Sequence, residues 1–185
     1  MTTLPGEPKG LRGWLILPAI GLFASAIRLT FSLMRDFWPI FRDGGWPVLT
    51  TPGTPAYHQL WGPLLIFEIA GNSFFILANV ALIFFFFSKH WRFPALYITM
   101  LGLNVLFVIG DFFMGNMIPA VATANDPQSV REMVRTLAAA AIWIPYFLRS
   151  KRVKNTFVKP GTTGTFHSTP GESRLTPAVP AGAQR

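Results

Sequence analysis

Apolar residues fall in four long runs along the chain, separated by polar, basic or proline-rich stretches. The second run, GPLLIFEIAGNSFFILANVALIFFFF at 62–87, is the longest. About 20 apolar residues suffice to cross the hydrocarbon of a bilayer, so this run predicts a membrane helix at 63–87, opened by Pro63. It also carries Glu68, Asn72 and Asn79. An acid at the centre of such a helix costs about 2.5 to 3.5 kcal/mol on insertion scales and normally faces protein rather than lipid. The other runs predict helices at about 13–34, 94–115 and 128–148, and each brings polar groups that can answer Glu68. Arg28 lies in the first, Asn104 and Asp111 in the third, and Arg131, Glu132 and Arg135 in the opening turns of the last. The expected fold is an all-α integral membrane protein with four transmembrane helices.

Between these runs the chain reads as connections. Residues 1–12 form a disordered lead, and 35–61 a surface loop whose Trp38, Trp46, Tyr57 and Trp61 suit the headgroup region. The basic stretch at 88–93 is so short that its flanking helices must be antiparallel neighbours. Residues 150–159 form a basic juxtamembrane segment, and 160–185 a Pro, Gly, Thr and Ser tail too polar to fold. Pro18 and Pro145 are expected to kink the first and last helices. Lys9, Arg12, the apolar core at 15–23 and Ala24-Ser25-Ala26 also fit a cleaved signal peptide. The apolar periodicity continues through Ile27, Leu29, Phe31 and Leu33, which favours retention of the segment.

Composition agrees with the pattern: 51% hydrophobic, 15% aromatic and only 13% charged residues is too apolar for an ordinary soluble domain. The net charge of +8 raises nucleic acid as a partner, but Lys and Arg flank the apolar runs instead of forming a patch. Their placement sets orientation. Lys9 and Arg12, Lys89 and Arg92, and then Arg149, Lys151, Arg152, Lys154 and Lys159 share one side; Arg35, Arg42 and Arg131 lie opposite. The positive-inside rule puts both termini in the cytoplasm. The basic segment is expected against anionic lipid headgroups, worth about 1 kcal/mol per residue near the surface. With no cysteine, disulfides and thiolate chemistry are excluded.

A rise of about 1.5 Å per residue turns position into depth, and places Arg28, Glu68, Asp111 and Arg135 at a similar level beneath the outer face, one on each helix. Such a polar cluster is either a lattice of charges that locks the helices together or a site open to the outer face. Asn72 lies one turn below Glu68, and Asn79 and Asn104 lie deeper, with interhelical amide bonds as their default role. No HExxH, GxSxG or P-loop spacing is present. His58, His90 and His167 are too scattered along this topology to form one metal site. No cofactor or metal is therefore expected, and the leading class is a non-enzymatic accessory or scaffold protein that meets lipid or a membrane-protein partner. The alternative is a small-solute or ion binding or transport protein using the outer cluster.

GWLILPAIGL at 13–22, YHQLWGPLLIFEIAGN at 57–72, RFPALYI at 92–98 and IWIPYFLRSKRVKNTFV at 142–158 resemble the bacterial family catalogued as domain of unknown function 2569. The resemblance implies four membrane helices and a multi-pass protein of the bacterial inner membrane, and carries no catalytic residues with it. Topology reporters fused after Arg42, His90, Asn125 and Arg185 are expected to read outside, inside, outside and inside. A reversal at any of the last three overturns this orientation.

Overall fold

The computed structural model describes residues 11, 13–124 and 127–158, and they are helical with short connections. A turn of 3₁₀-helix at Gly13–Leu15 leads into α1 (Ile16–Arg42), followed by the short α2 (Gly45–Thr50), α3 (Trp61–Phe87), α4 (Phe93–Asn116), the short α5 (Pro119–Ala124), α6 (Pro127–Arg149) and the short α7 (Lys151–Thr156). The spans Gly13–Arg42, Trp61–Phe87 and Phe93–Asn116 are long and apolar enough to cross a membrane. Few of their apolar side chains are fully buried, and many are exposed, among them Ile27 and Phe31 of α1, Leu77 and Phe84 of α3 and Leu106 and Phe113 of α4. On a soluble protein so large an apolar surface would be an aggregation liability; against lipid it is solvated. The fourth run is a long helix as expected, yet Arg131, Glu132 and Arg135 make α6 much less apolar than the other three.

The four long helices pack in the ring order α1, α3, α4, α6, each antiparallel to the next. Phe23 of α1 meets Phe87 at the end of α3. The Ser88–Arg92 turn joins α3 to α4, and Tyr97 near the start of α4 lies 4.6 Å, centroid to centroid, from Phe147 near the end of α6. Thus α6 runs alongside α4 over nearly its whole length. Each helix turns a stripe with spacings of three and four residues into the interior, the pattern that lets neighbouring helices interlock. On α3 the stripe is Glu68, Asn72, Phe75, Asn79, Leu82 and Phe86, so its polar residues share a face with its buried ones.

One end of the ring is closed by an apolar core. Phe93 is fully buried and touches the rings of Phe157 at 4.9 Å, Phe86 at 5.1 Å, Tyr97 at 5.6 Å and Phe147 at 5.9 Å. Phe157 and Val153 reach this core because Ser150 adopts an extended backbone conformation that breaks α6 from α7, and its hydroxyl accepts from the Val153 amide as an N-cap. The basic segment expected to lie on lipid is therefore tucked under the bundle by its apolar residues, while Lys151 and Lys154 stay exposed. Lys159, the tail at 160–185 and most of the lead lie outside the described residues; Leu11, placed in the lead by sequence, packs against the core.

The first connection is shorter than expected. α1 continues past Met34 through Pro39 to Arg42 and stops where Gly44 takes a left-handed φ of 73°, a conformation glycine adopts without steric cost. Pro18 does not kink α1, since it lies in the first turn, where a missing amide donor is harmless; the prolines within helices are Pro39 and Pro145. At the other end of the α3–α4 seam the Phe107 ring lies directly on the backbone at Gly71, where a Cβ would overlap it. Gly71→Ala is expected to lose about 1 to 3 kcal/mol by overpacking, and to cost little more when made in a Phe107→Ala background, which has already lost the ring it would strike. Gly102→Ala, whose Cβ meets nothing within 4 Å, should be neutral or gain up to about 1 kcal/mol. Thermal unfolding of the detergent-solubilised variants checks all three.

Candidate functional site

Above the closed end the four stripes stand apart and enclose two chambers, one above the other. α1 and α6 lack the packed seam the other neighbours have and meet through an ion pair. Arg28 of α1 donates Nη1 to Glu132 Oε2 at 2.8 Å and pairs Nη2 with Oε1 at 2.8 Å, the two parallel bonds that make guanidinium and carboxylate geometrically specific partners. Arg135, one turn along α6, adds a 3.3 Å contact from its Nη2 to the same Oε1. Both side chains of the Arg28–Glu132 pair remain about one-third exposed, so the bridge is neither dry nor fully screened.

The chamber next to the closed end has a volume of about 300 Å³ and is lined by all four long helices. Arg28 and Arg135 form its upper edge, Asn79 and Asn104 stand on opposite helices, and Leu22, Tyr97 and Trp143 give it apolar walls. The second chamber, about 230 Å³, opens towards the far end and contains Glu68, Asn72, Asp111 and Glu132, with Arg28 again shared. There the Glu68 and Asp111 carboxyls lie within hydrogen-bonding reach of each other, and Asp111 Oδ1 is buried without a hydrogen-bond partner among the described residues. A pair so arranged can be held by a shared proton or by a cation, since ionised carboxylates only accept. Arg35 and Asp36 pair with each other at 2.7 Å near the mouth.

The four charges singled out from sequence are thus divided between two groups. The carboxylates Glu68 and Asp111 face each other, and the guanidiniums of Arg28 and Arg135 converge on Glu132. Sequence reasoning left Glu132 out of the cluster, although its position three residues before Arg135 on one helix face was a legible signal. Asn79 does not make the expected interhelical bond: its Nδ2 donates to Phe75 O of its own helix at 2.8 Å. Asn72 joins the carboxyl chamber, and Asn104 the arginine chamber. His58 and His90 each accept from a backbone amide two residues on, tying down the turns before α3 and α4; His167 lies outside the described residues. Of the basic tail residues, Arg149, Lys151 and Lys154 are exposed and Arg152 lies beside Gly13.

Residues 8–158 match the family described as Protein of unknown function (DUF2569). The chain belongs to the DUF2569 family. It is similar to the inner membrane protein YdgK of Escherichia coli (strain K12), with 32% identity over 165 residues that cover 86% of this chain and 100% of that relative. No solved structure matches it. The DUF2569 region takes in both chambers and α7. In a double-mutant cycle Arg28→Leu and Glu132→Leu should couple by about 0.5 to 3 kcal/mol, whereas Arg135→Leu and Glu68→Leu, on different chambers, should add to within about 0.5 kcal/mol. Stability in detergent is the readout, and equal coupling in both cycles would restore the single four-charge lattice.

Proposed function

We propose that this chain is a multi-pass protein of the bacterial inner membrane in which four long helices enclose a binding site for a small solute. The observation that carries the reading is the polar cleft itself. A lattice serving only to hold helices together would match each guanidinium with a carboxylate, as Arg can do most completely; instead Glu68 and Asp111 face each other, and one carboxylate serves two arginines around open volume. The inner-membrane relative and the three apolar helices support the setting. α6 is the fourth span in this reading. Its antiparallel course along α4 and its exposed apolar residues Val134, Leu137, Ile142 and Leu148 support that, because its charged residues other than Arg131 and Arg149 line the cleft. The closed end then faces the cytoplasm, with the termini and the basic residues of α7 at the anionic headgroups, and the carboxyl chamber opens outward. The site is a binding site and not a catalytic one, consistent with the absence of a recognised catalytic spacing from the sequence.

The full chain, purified in mild detergent and heat-denatured, should release a small molecule that Ala139→Phe, which fills the chamber beside Arg135 and Trp143, does not retain. The released fraction is identified by mass spectrometry. If both proteins release the same set of molecules, and a panel of charged and neutral solutes leaves the melting temperature of each unchanged, solute binding is wrong. An accessory role through lipid or a partner protein then takes its place.

A further inference from the structure

The arginine chamber has a charge imbalance that selects its ligand. Glu132 is already engaged at both oxygens by Arg28, so Arg135 holds only the 3.3 Å contact to an oxygen in use. A guanidinium offers five N–H donors, and among the described residues Arg135 has no further ion-pair partner. Among the described residues no Asp or Glu lines this chamber. The groups that do are two guanidiniums, neutral polar side chains including Asn104 and Thr136, and an apolar wall of Leu22, Tyr97 and Trp143. A cation entering here would be repelled by the surplus positive charge of Arg135, which the Arg28–Glu132 pair does not offset. An anion would complete the coordination that Glu132 leaves unfinished. The volume of about 300 Å³ is at the lower limit of small-molecule sites and equals that of roughly ten waters.

We infer that this chamber binds a small amphiphilic anion, with a single carboxylate or phosphate head on Arg135 and a short apolar body against Leu22, Tyr97 and Trp143. The inference rests on the solute-binding reading and names its ligand class. The head belongs either to a free organic acid or to a lipid whose chain reaches in through the unpacked α1–α6 seam. Arg28 keeps its pair with Glu132 in the bound state, so the surplus guanidinium alone supplies the selectivity.

Binding to the purified full chain in neutral detergent separates these cases, with hexanoate, hexylamine and 1-hexanol as probes of one shape and three charges, and lysophosphatidylglycerol against lysophosphatidylcholine as the lipid pair. Calorimetric titration should show hexanoate or lysophosphatidylglycerol binding and weakening as salt is raised, with hexylamine excluded. Hexanoate alone identifies a free acid, and lysophosphatidylglycerol alone a lipid headgroup. Arg135→Gln leaves the Arg28–Glu132 bridge in place and should weaken the anion by about ten- to a hundredfold, as expected for losing a charge-assisted contact. Arg135→Lys should restore part of that loss. Preference for hexylamine, equal binding of hexanoate and hexanol, or an Arg135→Gln protein that binds hexanoate as the wild type does, overturns the anion site while leaving solute binding intact. A wild-type protein that binds none of the five also overturns it, and solute release from the unaltered protein then decides the broader reading separately.

Discussion

The bidentate bridge between Arg28 and Glu132 is the interaction on which the shape of the interior depends. The other three seams of the ring are built from packed side chains along most of their length, with aromatic contacts at Phe23–Phe87, Phe67–Phe107 and Tyr97–Phe147. The α1–α6 seam has no comparable packing. A charge pair of defined geometry therefore spans the gap between these two helices, and the space on either side of it is the pair of chambers. In a membrane this arrangement has a further logic: lipid tails offer apolar side chains as good an environment as another helix does, so polar pairing has more influence on which helices meet.

The two ends of the bundle divide the work. At the closed end Phe93, Phe86, Phe147 and Phe157 make a compact aromatic core, and α7 is drawn under it by Val153 and Phe157. That core gives the helices a fixed relative position without requiring contact higher up. Towards the other end the same stripes become polar, and α3 changes from Phe86 and Leu82 through Asn79 to Asn72 and Glu68 over successive turns. Rigidity at one end is what allows openness at the other.

Much of this was legible in the sequence. The four long helices follow from run length and from the short basic turn at 88–92, and the polar stripe of α3 follows from spacings of four and three residues. The limits of legibility have physical causes. α1 extends beyond its apolar run because Arg35-Asp36 satisfies its charges internally and Pro39 is tolerated near a helix end, so local composition suggested a loop where tertiary packing favoured helix. α7 was hidden because Lys and Arg dominate its composition, while the two residues that decide its position, Val153 and Phe157, are too few for a periodicity signal. The pairing of charges could not be read at all, since Arg28, Glu68, Asp111 and Arg135 at similar depths are compatible with several helix orders; placing α1 beside α6 brings Arg28 to Glu132, which Arg135 already meets on its own helix.

Arg28 borders both chambers, and this single shared wall makes them thermodynamically dependent. With Arg28 fixed on Glu132, a charge held on one side of the pair is felt across it by a charge held on the other. Reciprocity then requires that whatever effect filling one compartment has on its neighbour be returned by the same factor.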